Sequence, residues 1–392
     1  MRVVLNRTTA LRRRAGIGHY ASQLEKTLRL QFAKGDDLLL FPGRWTARAL
    51  GVFDCWKRPK NNDAGAGQGG PARANRGRDL LALSFRAFTA LRSFDLYHEP
   101  NTIPLPCDRP TVTTVHDLSP LLHPEWHPAE RVAHFERHFQ AGLERSSRLI
   151  TSSHAVRREL TRHCGMPADK ITTIPFGIRA EFRPLPSQTV VPILRRLNLP
   201  TRFFLAVGTL EPRKNLMTLM RAFCRLPIDV RERTPLVLAG GWGWNTAELA
   251  AYLHDEARHR GVIHLGYVDD ADLPALYNAA LGLCFPTHYE GFGLPAIEMM
   301  ACGGLVLAST ADALRELVPR SWPVIAPLDE DGWHAALLRL GTDEAWRHSL
   351  RRGAREHVAD LTWLRCAEAT WSVYRQVLGL ETGATKSIRV AA

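Results

Sequence analysis

Two glutamates eight residues apart bracket the most chemically suggestive stretch of the chain, His288-Tyr289-Glu290-Gly291-Phe292-Gly293-Leu294-Pro295-Ala296-Ile297-Glu298. An apolar run, Leu281–Phe285, leads into it, as a strand would. Pro295 suits the opening of a helix, where its fixed φ and missing N–H do no harm. Gly291 and Gly293 let backbone amides come close to a ligand. With the helix start, and with Phe292 and Leu294 in the same turn, they offer N–H donors and a positive dipole end to an anion. Glu290 and Glu298 can accept hydrogen bonds from sugar hydroxyls. Either glutamate alone would read as a helix-dipole or solvent-facing residue; the string as a whole reads as a ligand site.

Four further stretches carry candidate chemistry. Val207-Gly208-Thr209-Leu210-Glu211-Pro212-Arg213-Lys214-Asn215 follows an apolar run and opens a helix. Two adjacent cations there suit a diphosphate, because Arg213 can grip two oxygens and Lys214 adds a point charge. Arg14-Ala15-Gly16-Ile17-Gly18-His19-Tyr20 sits between the first strand and a helix expected over Tyr20–Leu30. A Gly16-x-Gly18 pair is weak by itself, since many strand–helix turns contain glycine. Arg12, Arg13 and Arg14 are in reach of an acceptor phosphate or belong to a solvated loop. Val115-His116-Asp117-Leu118-Ser119 ends another apolar strand, and His98-Glu99 ends a third on the same sheet edge, placed to touch an acceptor. A lone histidine in such a position is as a rule a satisfied structural residue.

The elements that must position these residues come in two series. Strands are expected at Val3–Asn6, Leu38–Phe41, Leu96–His98, Thr111–His116 and Leu149–Ser152, and again at Phe203–Val207, Leu236–Ala239, Val262–Leu265, Leu281–Phe285 and Leu305–Ala308. Helical patterns fall between them, including Leu216–Leu226, Asp272–Ala280 and Pro295–Ala301. Alternation of this kind argues α/β architecture with two doubly wound, largely parallel units. Such sheets bind ligands beyond the carboxyl ends of their strands, so two facing units imply a cleft. Phe182-Arg183-Pro184-Leu185-Pro186 reads as a proline-stiffened linker. The expected division is 1–182, 183–362 and 363–392, the last holding an amphipathic helix over Trp363–Leu378, which packs back towards the first domain, and a frayed tail, Glu381–Ala392. Residues 58–78, rich in Gly, Asn and Arg and poor in apolar side chains, read as a mobile basic loop.

Bulk properties narrow the function. The chain has 392 residues, 45% apolar and 23% charged, as in a soluble two-domain protein. No run of about eighteen apolar residues offers a membrane span, and Met1–Asn6 reads as a strand rather than a leader. Seven scattered cysteines without CxxC spacing fit reduced thiols and a cytoplasmic setting. The net charge of +12 is concentrated: residues 1–180 hold 28 Lys and Arg against 16 Asp and Glu, and the remainder 23 against 23. An anionic partner on the first half follows, although a generally Arg-rich proteome would also produce the excess. No recognition motif or aromatic-interleaved basic stripe points to nucleic acid. No carboxylate pair lies where a metal–diphosphate bridge would form, and Asp269-Asp270-Ala271-Asp272 reads as a helix cap.

The Glu290–Glu298 string resembles the E-x7-E signature of glycosyltransferase family 4, and the likeness extends over nearly the whole chain. This implies a GT-B fold, two Rossmann-like domains facing across a cleft, with acceptor on the first and nucleotide sugar on the second. It also implies retaining transfer without metal or cofactor. By the resemblance, Glu290 contacts the transferred sugar, Glu298 holds the donor ribose, and Arg213 and Lys214 neutralise the departing diphosphate. Gly16 and Gly18 match the family's glycine loop, and Gly208, Gly291, Phe292, Gly293 and Leu294 line the donor site. His116–Pro128 (HDLSPLLHPEWHP) is similar to the segment of bacterial mannosyltransferases, which places His116 and Asp117 near the sugar and implies GDP-mannose; UDP-hexose and dTDP-rhamnose stay open. The basic first half fits a polyprenyl-diphosphate-linked glycan as acceptor, with an oligosaccharide acceptor also open, handled at the anionic inner face of the cytoplasmic membrane in surface-polysaccharide assembly. Pro175-Phe176-Gly177 departs from the family's Pro-Asn-Gly, and Ala311–Leu328 is less typical. Competing classes are a sugar-nucleotide epimerase, a phosphorylase, for which no pyridoxal-lysine motif appears, and a nucleic-acid binder, which leaves the four charged site residues as coincidence.

Overall fold

The computed structural model describes residues 1–11, 16–31, 35–43 and 71–380. The chain divides into two compact units, Met1–Gly177 joined by the segment that begins at Leu361, and Ile178–Asp360. The first unit contains β1 (Arg2–Asn6), β2 (Asp37–Phe41), β3 (Leu96–Glu99), β4 (Thr111–Val115), β5 (Arg148–Thr151) and β6 (Ile171–Thr173). Their order is β2-β1-β3-β4-β5-β6, with every pair parallel. Helices α1 (Gly16–Gln31), α2 (Pro71–Ala90), α3 (Ala129–Arg145) and α4 (His154–Cys164) supply the crossovers. Strands covered on both faces read as apolar runs, and Val3, Val4 and Leu5 are fully buried. β4, Thr-Val-Thr-Thr-Val, is polar yet buried, because Thr113 meets Ser146 Oγ at 2.7 Å and Thr114 meets the Tyr20 hydroxyl at 2.9 Å.

The second unit repeats the plan with β7 (Phe203–Val207), β8 (Leu236–Ala239), β9 (Val262–Gly266), β10 (Ala280–Phe285), β11 (Val306–Ser309) and β12 (Val324–Ile325), in the parallel order β12-β11-β10-β7-β8-β9. Helices α5 (Leu216–Cys224), α6 (Leu273–Ala279) and α7 (Leu294–Ala301) belong to it. The last described helix, α8 (Trp363–Val377), returns to the first unit and packs on α1. The doubly wound α/β class read from the sequence is therefore what the chain adopts, and the strand order reverses at β1/β3 and at β7/β10. No helix among the described residues is long and apolar enough to cross a membrane.

Several expectations change. The edge strands β6 and β12 escape the sequence pattern because three and two residues are too short to show a period. α1 begins at Gly16, not Tyr20, so Gly16 and Gly18 sit inside its first turn rather than in the loop before it. Burial of Tyr20, Ala21, Leu24 and Leu28 along one face outweighs the poor helix propensity of the glycines. Residues 71–78, read as part of a loop, open α2; its Arg- and Gly-rich start hides a helix anchored later by Leu81, Phe85 and Phe88. Residues 58–70 and 381–392 lie outside the described residues. Phe182–Pro186 is not the crossing between units. Phe182 is buried with its ring 5.6 Å from that of Tyr277, and Asn278 holds Arg183 O and Leu185 N. The chain crosses at Gly177, where a Cβ would fall 2.1 Å from the backbone nitrogen of Trp363, so only glycine fits. Asp272 occupies the cap position of α6 but makes no side-chain cap bond; its carboxylate pairs with Arg196.

Candidate active site

The switch point of the second sheet brings together the two strongest sequence signals. Chain leaving β7 turns through Gly208 into a 3-10 turn, Pro212–Lys214, and chain leaving β10 enters Pro286–Gly293. Buried Asn215, at φ 52°, joins the two. Its amide donates to Pro286 O at 3.0 Å and Pro327 O at 2.6 Å, and its Oδ1 accepts from Thr218 at 2.8 Å. Fully buried Thr287 adds a second tie, with its Oγ1 2.9 Å from the carbonyls of Arg213 and Tyr289 and 3.3 Å from Glu290 Oε1.

Held this way, Arg213 lies between two carboxylates. Its Nη2 is 2.6 Å from Glu211 Oε1, its Nη1 is 3.0 Å from Glu290 Oε1, and Nη1 also donates to Tyr289 O at 2.8 Å. Lys214 Nζ pairs with the same Glu290 oxygen and stands 5.1 Å from the centre of the Phe285 ring. A Cβ on Gly208 would meet Lys214 Cε at 3.4 Å, so the glycine gives the ammonium stem its room. Burial alone would push the Glu290 carboxyl up; the adjacent Arg213 and Lys214 outweigh it and hold the group below the usual glutamate range. Glu290 is thus ionised, and it pairs with both cations at once.

Glu298 lies in α7, whose N-cap is Gly293 at φ +116°, a conformation that side chains rarely adopt. Pro295 falls at the second helical position. Gly291, Phe292 and Leu294 complete the turn, with Phe292 buried at 6% exposure. Glu298 is itself 9% exposed: the Tyr277 hydroxyl donates to Oε2 at 3.0 Å, and Arg179 Nη2 stands 3.4 Å from Oε1. Burial and the Glu298 carboxylate together push the Tyr277 phenol well up, so it stays a donor. Arg179, nearly buried, also faces Glu181 at 3.4 Å and Asp270 at 3.6 Å and lies over the Phe182 ring. Thr287, Tyr277 and Arg179, none of them singled out by the sequence, are the hydrogen-bond and ion-pair partners of Glu290 and Glu298. Thr287 alone carried a signal, a hydroxyl directly between strand and site loop.

The first unit holds the remaining candidates. His116 is 7% exposed, donates from Nε2 to Pro100 O at 2.7 Å, and meets the Tyr20 and Phe176 rings edge-on. Burial lowers its pKa, opposed by Pro100 O and Asp117, so the ring is neutral. Asp117 accepts from Ser119 N at 2.9 Å and Ser119 Oγ at 2.7 Å. His98 is corrected from an acceptor contact to an internal tie. It is fully buried, with Nδ1 2.6 Å from the Tyr374 hydroxyl and Nε2 2.9 Å from Thr114 Oγ1. Glu99 is likewise turned inward, accepting from Asn6 at 2.8 Å, Tyr97 at 2.6 Å and Asn101 N at 3.1 Å. Arg14 lies outside the described residues. Among the described residues, no three His, Cys, Asp or Glu side chains group as a metal site would.

Two doubly wound parallel units, one with charged loops converging at its topological switch point, are the architecture of the GT-B glycosyltransferases. Known proteins carry this further. Residues 195–357 match the family described as Glycosyl transferases group 1, and residues 53–182 match Glycosyltransferase Family 4. The O-antigen chain mannosyltransferase B of Escherichia coli is 33% identical over 372 residues, which span 92% of this chain and 96% of that protein. This chain belongs to glycosyltransferase family 4. The serotype-specific mannosyltransferase WbdA of Escherichia coli is 27% identical over 293 residues, covering 73% of this chain but 36% of that longer protein. Among solved structures, a sucrose-phosphate synthase from Thermosynechococcus elongatus superposes with a TM-score of 0.72 at 21% identity, covering 97% of this chain and 100% of the other. WaaG, a glycosyltransferase involved in lipopolysaccharide biosynthesis, does so at 0.68 and 15%, again covering 97% and 100%. At these identities the likeness speaks for the fold alone.

Proposed function

We propose that the chain is a retaining mannosyltransferase that moves mannose from GDP-mannose to a lipid-linked glycan during assembly of a surface polysaccharide such as O-antigen, capsule or exopolysaccharide. The likeness to the O-antigen chain mannosyltransferase B, over nearly the full length of both proteins, carries this conclusion. The acceptor is a polyprenyl-diphosphate-linked glycan, met at the inner face of the cytoplasmic membrane.

In this mechanism an acceptor hydroxyl attacks the anomeric carbon of the donor. The bond from that carbon to the diphosphate oxygen breaks, and its electron pair leaves with the diphosphate. The acceptor proton passes to that same oxygen on the face where attack occurs, so configuration is kept. Arg213, Lys214 and the N-terminus of α7 supply the positive charge that the leaving group needs, without a metal ion or organic cofactor. Glu298 takes the ribose hydroxyls, and Glu290 contacts the transferred sugar while keeping the two cations in place. Gly16 and Gly18 stay on the donor side, and His116 and Asp117 stay beside the sugar, as the family resemblance implies.

Calorimetric titration with GDP, UDP, dTDP and their sugar conjugates tests the proposal. Binding of GDP and GDP-mannose in preference to the others is expected, weakened in Glu298→Ala. Transfer is expected to persist in EDTA and to fall about 10²-fold in Lys214→Ala. Preference for UDP or dTDP would move the donor to a UDP-hexose or to dTDP-rhamnose. Release of an altered sugar nucleotide without any acceptor would make the protein an epimerase. Binding of no nucleotide at all would overturn the proposal.

A further inference from the structure

Helix α2 is apolar on two opposite sides. Its inner side packs Leu81, Phe85 and Phe88 with Phe41, Phe94 and Tyr97 in the core of the first unit. Its outer side shows Leu80 and Leu83 at 57% and 60% exposure, then Ala87, then Leu91 at 85% just past the helix end. Steps of three, four and four residues keep these on one stripe of a 3.6-residue helix. A surface helix with one buried face ordinarily turns polar side chains outward, and a contiguous exposed apolar stripe marks an interaction surface.

Charge says what the surface meets. Residues 71–92 contain Arg73, Arg76, Arg78, Arg86 and Arg92 against the single acid Asp79. Arg86 and Arg92 are exposed, and the Arg92 guanidinium lies 5.2 Å from the centre of the Phe88 ring. The whole +12 excess of the chain falls in residues 1–180. A second copy of the chain laid on this stripe would set arginine against arginine. A surface with an apolar interior and anionic headgroups satisfies leucines and arginines together.

We infer that α2 docks the first unit on an anionic lipid bilayer, with Leu80, Leu83 and Leu91 entering the boundary between headgroups and acyl chains and the exposed Arg86 and Arg92 pairing with lipid phosphates. The inference rests on the proposed lipid-linked acceptor and names the element that brings the enzyme to it. Co-flotation of the full chain with vesicles tests it, using phosphatidylglycerol–phosphatidylethanolamine vesicles against pure phosphatidylcholine. The wild type is expected to float with the anionic vesicles, less so as salt rises, and not with the zwitterionic ones. Leu80→Ser/Leu83→Ser is expected to lower partitioning about tenfold or more, and Arg86→Glu to lower it further. Both changes lie on exposed positions, and unchanged thermal unfolding and GDP affinity would show that fold and donor site are intact; Leu91→Ser, beyond the helix end, gives an independent loss. Wild type that fails to float, or a double variant that floats equally well, overturns the inference, as does a concentration-dependent dimer abolished by the same leucine changes. GDP binding that survives such a failure leaves the transferase reading standing.

Discussion

Glu290 is a carboxylate shared by two cations, and that sharing sets a measurable competition. In the proposed mechanism a donor diphosphate brings its own anionic oxygens to Arg213 and Lys214, both of which pair with Glu290. Glu290→Gln removes the internal rival while leaving two nearly buried cations poorly compensated. Stability is expected to fall by on the order of 2 kcal/mol, while nucleoside diphosphate binding holds or tightens and transfer falls. Thermal unfolding with and without GDP, read beside turnover, separates these effects; weaker diphosphate binding in the variant would refute the competition. His98 offers a pH test. Burial, reinforced by neighbouring His116, lowers its pKa from 6.5 to about 3, so below 6.5 the unfolded chain takes a proton that the native chain refuses. Stability from this group is full above pH 6.5 and is lost as pH falls towards about 3, with a slope of about 1.4 kcal/mol per unit. Urea unfolding at about pH 5 and about pH 7.5 should show a gap that narrows in His98→Asn. Glu290, Arg213 and Lys214, which the structure brings into contact, each stand out in the sequence because each sits in a dense local string. Arg179 was not, since its meaning depends on Glu298, 119 residues away, and His98 misled because a strand-end position looks the same whether the side chain turns out or in.

At the scale of elements, α7 depends on how it starts. Gly293 stands at φ +116°, and a Cβ there would also come 2.7 Å from Leu314 Cδ2. Gly293→Ala is expected to destabilise the fold by about 1–2 kcal/mol from the backbone alone. It should also blunt the thermal stabilisation given by GDP, because the amides of that turn would shift. A variant with wild-type melting and wild-type GDP response would show that the turn tolerates a side chain. Ten of the twelve strands among the described residues fall where the sequence places them; most are apolar runs, because parallel strands buried on both faces leave continuous hydrophobic stretches, whereas β4 is threonine-rich. The helices were harder. α2 was concealed by arginines and a glycine at its start, and α1 was read a turn short, because propensity speaks before tertiary packing does. Phe182–Pro186 looks the same in sequence either way, since prolines stiffen a segment equally well whether it spans two units or lies packed within one.

The whole molecule is two similar halves of unequal charge and unequal continuity. Ile178–Asp360 is one unbroken piece of chain, whereas the first unit needs Met1–Gly177 and the segment from Leu361. α8 contributes Trp363, Cys366, Ala367, Thr370, Val373 and Tyr374 as buried side chains. Tyr374 closes a bond to His98 across 276 residues of sequence, and the Trp363 and Tyr20 rings stand 6.1 Å apart. A chain ending at residue 360 is therefore expected to keep slow amide exchange in β7–β12 and lose it in β1–β6, since each large aromatic removed carries about 2–3 kcal/mol of burial. Uniform loss of protection in both sheets would show instead that the halves fold as one. The same discontinuity has a consequence during biosynthesis. The half that leaves the ribosome first must wait, its Thr114–His98 pair lacking a third member, until the other half has been translated and α8 follows. Nascent chains should accordingly acquire protease resistance in the second half before the first, the reverse of the order in which they are made.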